Sequence, residues 1–598
     1  MQKRFCIWEK NWENISIMSI NKKKGRHYCY QNPARTIKEM VACCIEEAPG
    51  NDAFKVKEKG VIKHVSFFQM HKDVQNLGTE LLCMDALQDK PLRVGIIGEN
   101  SYAWMQAFLA AVNGGGIAVP FDKGFTAEEL ASCIARSEIT VLFYDEKHQT
   151  VAEEAAAQCG IEKPVLLQMS GEGEVLEQMK LDGEQKVRAG ERRFLDAEVS
   201  EKQLAVILFT SGTTANSKAV MLSHDNILSN IRDMQAFERF YPWDVNMAFL
   251  PFHHSFGLVG ALVFMASCAC SVFCDGLRYV IKNLGEYGVT VFVGVPLIVE
   301  NMYKKICRQI EKEGKQHKIQ VGLKLAGFAE VFRLPVRRRI FKQVIDGLGG
   351  HLRLIICGAA PLMPETSAGM NGFGIATIQG YGLTETSPVL AAERPEDIAA
   401  GSVGKPMPSV NIQLFGEDEN GIGEIVARGP NVMMGYLNQP EETAEVLKDG
   451  WFYTGDLGRF DAHGNLYITG RKKNVIVMKN GKNIFPEEIE EKISRLPYAA
   501  ECLVFAREKH NDLVLWTKIV YPEDYLKEKN WTVDQLAEQV RMDLGAINDA
   551  MPKYKHINHF ILSHEPMIKT TTQKIKRIPE IEKINAQQDS ELWYNCTM

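Results

Sequence analysis

Through its first three hundred or so residues the sequence alternates short β-branched runs with helical patterns, and this alternation restricts the fold more than any other feature. Residues 93–98, 116–120 and 140–144 read as strands, and residues 101–112 as a helix. Strands separated by helices pair in parallel through crossovers, so the pattern predicts an α/β fold of doubly wound mixed sheets with helices on both faces. A chain of 598 residues is too long for one core, because domains usually run to about 100–200 residues. The pattern changes near Gly470-Arg471-Lys472-Lys473. Beyond it, Pro486 opens a short helix with acids in its first turn, and residues 502–506, 513–521 and 559–562 read as strands. Thr532 to Gln535 has capping-box form and starts a helix with Leu536, Val540, Leu544 and Ile547 in phase. The expected layout is a leader over 1–32 outside the fold, a large N-terminal domain over 33–472, a small α+β domain over 473–585 and a tail over 586–598.

Composition removes several function classes. Lys and Arg number 69 against 75 Asp and Glu, so the net charge of -6 provides no general attraction for nucleic acid. The 14 cysteines are scattered without a CxxC pair, and Cys268, Cys270 and Cys274 lack zinc-ligand spacing, which suits thiols of a reducing cytoplasm. The longest apolar stretch, 258–274, falls short of the ~20 residues of a membrane span and reads as a buried helix running into a strand. The N-terminus has no uninterrupted apolar block that could serve as a signal peptide. A soluble, cytoplasmic protein is expected. Residues 171–193, rich in Gly, Glu, Lys and Arg, read as an exposed loop.

Five motifs carry the chemistry. Thr210-Ser211-Gly212-Thr213-Thr214-Ala215-Asn216-Ser217-Lys218 lies between an apolar strand and a helix, and its hydroxyls, N–H groups and lysine suit phosphate oxygens. It lacks the GK[ST] of a Walker loop, and a Ser/Thr-rich surface loop is the plain alternative. In Gln379-Gly380-Tyr381-Gly382-Leu383-Thr384-Glu385 the glycines admit a ligand to the backbone, Tyr381 presents a ring to a base and Glu385 offers oxygen to a hard cation. Upstream, the small residues of Cys357-Gly358-Ala359-Ala360-Pro361 end a strand and leave room for a flat ring in the crevice where such sheets bind ligands. Each also reads as a tight turn. Tyr453-Thr454-Gly455-Asp456 places an acid for two ribose hydroxyls, and the basic segments at Gly470 to Asn474 and Lys569 to Arg577 complete the set.

Taken in order, the five resemble the adenylate-forming superfamily of acyl-CoA synthetases, peptide-synthetase adenylation domains and firefly luciferase, from about residue 35 to 585. The resemblance implies a large N-terminal domain, a small mobile C-terminal domain and a two-step reaction. A carboxylate and Mg·ATP form an acyl-adenylate and pyrophosphate, and a thiol, usually of coenzyme A, then takes the acyl group. It further implies that Thr210, Ser211, Gly212, Thr213, Thr214 and Lys218 clamp the outer phosphates. Gly358, Ala359, Ala360, Gln379, Gly380, Tyr381 and Gly382 surround the adenine. Thr384 touches the α-phosphate, Glu385 and Thr213 serve the Mg²⁺, and Asp456 holds the ribose beside Arg471. Lys574 is the catalytic lysine, Lys473 the hinge, and Gly481 borders the path of the coenzyme A thiol. Ala215, Ser217 and Ala219 in the phosphate loop, Asn474 and Gln573 depart from the commonest family pattern.

For the acid, Leu250-Pro251-Phe252-His253-His254 resembles the segment bordering the acyl pocket, with His254 at the family histidine; a core histidine is the alternative. The long stretch 301–350, with Arg337-Arg338-Arg339, looks like the insert of long-chain fatty acyl-CoA synthetases. The expected reaction is long-chain fatty acid activation with transfer to coenzyme A. Acyl carrier protein is the alternative acceptor, and a catalytically silent nucleotide-binding module the reading from another class. No nucleic acid and at most peripheral membrane contact are expected as partners, the latter through the arginine run.

Overall fold

The computed structural model describes residues 28–596 apart from 211–216, 333–335, 479–481, 510–511, 570–574 and 587–592. The chain forms two compact units. The first takes residues up to 208, 221–293 and 345–353; the second takes 209–220, 294–344 and 354–598. The sequence boundary at 472/473 falls inside the second.

In the first unit, Arg93–Ile97 pairs in parallel with Ile117–Pro120 on one side and Val141–Tyr144 on the other, with Val165–Gln168 beyond. Between them runs the helix Tyr102–Asn113, capped by Ser101, whose hydroxyl accepts from the Trp104 N–H. The helix is buried from Trp104 to Asn113, as expected for one packed on a doubly wound sheet. A second sheet aligns Val245–Ala248 in parallel with Cys270–Phe273 and with Val291–Gly294. The apolar run is the buried helix Ser255–Ala266 followed by Cys270–Phe273, as its composition predicts.

The expected loop over 171–193 is instead largely a helix, Leu176–Arg188. Its narrow apolar face, Leu176, Met179 and Gly183, is buried, and Gly183 lies so close to the Asn76 carbonyl that no side chain fits. Lys72 to Glu184 (2.8 Å) and Lys186 to Glu80 (2.7 Å) fasten it to the helix Phe67–Cys83.

In the second unit, Leu354–Cys357 runs parallel to Ala376–Gly382, which pairs antiparallel with Val389–Ala392. A separate antiparallel sheet holds Gly423–Arg428, Trp451–Phe460 and Leu466–Arg471. The C-terminal part has its own core. Leu536, Val540 and Leu544 of the helix Val533–Asp549 pack with Ile489, Ile493, Val504, Leu515 and Phe560. The expected tail is not wholly outside this fold, because Trp593–Asn595 adds an edge strand to Ile557–Ser563. All cysteines among the described residues are free.

Candidate active site

In the second unit, three strands bring three of the expected residues, Tyr381, Asp456 and Arg471, together. Asp456 on Trp451–Phe460 stands opposite Arg471 on Leu466–Arg471, and Arg471 Nε donates to Asp456 Oδ1 at 2.8 Å. Tyr381 donates its hydroxyl to Asp456 Oδ2, also at 2.8 Å. Asp456 is 4% exposed, and burial together with that acid pushes the Tyr381 phenol well above its usual pKa. A carboxylate accepts only, which is the chemistry a ribose diol asks of its partner. Lys473 feels a second cation. Partial desolvation, then the charges of Arg471 and Lys218, hold its ammonium below the usual lysine range, with Asp456 opposing them. Arg471 and Lys218 thus act electrostatically on Lys473, and cations so grouped give a positive potential suited to phosphate oxygens.

The phosphate-loop motif is closed at its base by the Thr210 N–H donating to the Lys218 carbonyl at 2.9 Å. Ser211, Gly212, Thr213 and Thr214 lie outside the described residues, as do Gly481 and Lys574. On either side of Lys574, Lys569 and Ile575 pair as an antiparallel bridge. Lys218 Nζ sits 4.4 Å from the centre of the Tyr436 ring, and Tyr436 donates its hydroxyl to Glu385 Oε1 at 3.0 Å. Glu385 is in the short 3₁₀ turn Thr384–Thr386, whose Thr386 carbonyl accepts from Asn431 Nδ2 at 2.8 Å. A half-buried carboxylate with one oxygen already oriented fits Mg²⁺, which takes one or two protein carboxylates and completes its shell with phosphates and water.

Two of the expected ligand residues also have structural work. Gln379 is buried, its Oε1 accepting from the Leu362 N–H at 2.9 Å and its Nε2 reaching the Ser402 carbonyl. Its side chain braces the turn after Cys357 and is not available to a nucleotide. Gly382 is required by packing, because the Pro388 carbonyl occupies the space of a side chain there. Gly380 has room around it. Gly358 is buried, whereas Ala359 and Ala360 are exposed, and Ala359 has φ +73°. A left-handed alanine at a strand end is the kind of local strain that functional turns hold. Sequence reasoning missed Tyr436, Asn431 and Glu393. Their only signal is a Gly435-Tyr436 pair before a Pro-headed helix, which is too short to stand out.

The first unit holds a second cluster. Ligand-type atoms of Asp122, His253 and His254 all lie within 4.8 Å of one another. Burial, then the neighbouring His254, drives the His253 pKa down to about 3, so its ring is neutral at pH 7. His254 heads the helix Ser255–Ala266, where Phe256, Gly257, Gly260 and Ala261 line a narrow pocket with Phe249 and Val293.

Residues 44–437 match the family described as AMP-binding enzyme, and residues 473–589 match the AMP-binding enzyme C-terminal domain. The chain belongs to the AMP-binding enzymes. This bears out the resemblance read from the five motifs. The enzyme is 31% identical over 466 residues to long-chain-fatty-acid–CoA ligase 5 of Rattus norvegicus, covering 72% of this chain and 68% of that one. It is 28% identical over 484 residues to fatty acyl-CoA synthetase A of Dictyostelium discoideum, covering 76% and 72%. Its fold matches ATP-bound MatB from Rhodopseudomonas palustris with a TM-score of 0.72 at 24% identity, covering 92% of this chain and 99% of that one. No helix among the described residues is long and apolar enough to cross a membrane.

Proposed function

We propose that the enzyme is an AMP-forming long-chain fatty acid–CoA ligase. The observation that carries the nucleotide half is the contact of Arg471 and Tyr381 with Asp456, with Lys473 under the charges of Arg471 and Lys218 and Glu385 oriented through Tyr436. The acid and the thiol follow from the relatives, named as fatty acid–CoA ligases. In the first step a carboxylate oxygen attacks the α-phosphorus of ATP, the bond to the β-phosphate oxygen breaks, and pyrophosphate leaves. In the second, the coenzyme A sulfur attacks the acyl carbon, AMP leaves with the electron pair of its oxygen, and the thiol proton is released.

Asp456 and Arg471 orient the ribose, with Tyr381, Ala359 and Ala360 beside the base. Lys218 and the 210–214 loop hold the outer phosphates, Thr384 contacts the α-phosphate, and Lys574 neutralises charge that grows there. Glu385, with Thr213, would hold Mg²⁺, which when bound neutralises the pyrophosphate leaving group. The same reading places the enzyme in the cytoplasm, meeting membranes where its substrate partitions.

Purified enzyme given ATP, Mg²⁺ and palmitate should form AMP and palmitoyl-CoA with coenzyme A, and no acyl product with acyl carrier protein. Product on the carrier protein alone would reverse the acceptor. Glu385→Ala should slow palmitate-dependent pyrophosphate exchange about 100-fold or more, and exchange at the wild-type rate would remove Glu385 from the site.

A further inference from the structure

The helix Gln316–Val331 is apolar on two opposite faces. One face, with Ile319, Leu323 and Ala326, packs against Phe341, Phe373 and Tyr303. The other is open. Val321 is 42% exposed, Leu325 59%, Phe328 68% and Phe332, just past the helix, 61%. Their spacing of four, three and four residues puts them in one stripe, and the Phe328 and Phe332 rings meet edge to face at 5.2 Å. A helix that is apolar all round is normally buried on all sides, and an exposed stripe of this size marks a docking surface.

The charges beside the stripe identify what docks. At 100° per residue, the exposed Lys318 and Lys324 stand about 60° to either side of it. From 315 to 342 the sequence carries eight Lys and Arg against the single acid Glu330. The arginine run itself is partly committed within the fold. Arg337 donates to the Gly372 carbonyl and Arg338 to the Gly374 carbonyl, each at 3.2 Å, and of the three only Arg339 is exposed. The lipid contact expected there thus moves to this helix. An apolar stripe edged by lysines is the pattern of a helix lying in the headgroup region, its aromatic side chains among acyl chains and its ammonium groups on anionic phosphates.

We propose that the Val321–Leu325–Phe328–Phe332 face docks the enzyme on anionic lipid surfaces. The inference rests on a fatty acid as substrate, since such acids are held in bilayers.

Sedimentation of the full chain with vesicles of phosphatidylcholine and phosphatidylglycerol, and with phosphatidylcholine alone, tests it. Wild type should partition onto the mixed vesicles. The double variant Leu325→Gln, Phe328→Gln should lose about tenfold or more in partition. Lys318→Gln with Lys324→Gln should lose mainly the preference for phosphatidylglycerol. No wild-type binding, or equal binding by the Leu325/Phe328 variant, would overturn the assignment. So would a wild-type dimer that the Phe328 change dissociates, because the stripe would then join two copies. Ligation of soluble octanoate should be the same in all three proteins. If no fatty acid is ligated while vesicle binding follows this pattern, the substrate reading falls and the lipid surface stands.

Discussion

Glu393 shows how one buried acid supports the nucleotide strand. Its Oε2 accepts from the Gln379 N–H at 2.9 Å, and Gln379 in turn holds Leu362. Burial raises the Glu393 pKa to about 7, against the acceptor bonds that lower it. The folded value lies above the unfolded one, so the native state retains a proton that the unfolded chain releases. The stabilisation is complete below the unfolded pKa of about 4.3 and is lost as pH rises through the folded value. Between pH 5 and pH 8 the difference in unfolding free energy between wild type and Glu393→Gln should therefore change by about 3 kcal/mol, wild type losing ground at pH 8. Urea unfolding at both values measures it; a constant difference would mean that Glu393 is ionised throughout. Asp456, Glu385 and Arg471 were legible as residues because motif chemistry singles out acids and bases. Glu393 and Tyr436 were not, because their importance comes from burial and from partners distant in sequence.

Among elements, the segment around Lys574 depends on a buried ion pair. Lys518, on the strand Asp512–Val520, meets Glu580 at 2.6 Å, and neither side chain reaches solvent appreciably. Glu580 sits on the helix Arg577–Ala586 just after Lys574, and its other oxygen accepts from the Ile568 N–H just before it, at 3.0 Å. One carboxylate thus ties both flanks of the segment to the sheet. Glu580→Ala leaves the lysine buried without its partner and should cost about 3–5 kcal/mol. Lys518→Met with Glu580→Leu should cost less, since it removes both charges. Thermal unfolding of the two variants gives the comparison, and equal losses would show that packing, not charge, dominates here. The helix Leu176–Arg188 illustrates what periodicity misses. Three buried residues among many charges make too narrow a stripe to detect, yet packing on a neighbouring helix is enough to order it.

For the molecule as a whole, the proposed reaction requires two arrangements. The first half-reaction needs the Lys574 charge at the α-phosphate, and the second needs an open path for the thiol past Gly481. The family resemblance places the pivot at Lys473, which begins the match to the C-terminal domain. Lys574→Ala should reduce adenylate formation about 100-fold or more while transferring acyl from supplied acyl-AMP to coenzyme A at nearly the wild-type rate. Lys473→Pro should impair the passage between the two steps, seen as acyl-adenylate accumulating in single-turnover mixtures. Equal losses in both half-reactions of Lys574→Ala would contradict the division.

By itself the sequence determined the fold class, the order of the motifs and the family, because each is written in periodicity or in short runs of residues whose chemistry needs only neighbours. Tertiary structure alone decided which of those residues also carry the packing. Gln379 and Gly382 belong to a motif yet serve packing, while Tyr436 belongs to none yet orients Glu385. It also decided that the face of Gln316–Val331 bearing Leu325 and Phe328 is open, since an apolar residue reads the same in sequence whether another element covers it or not.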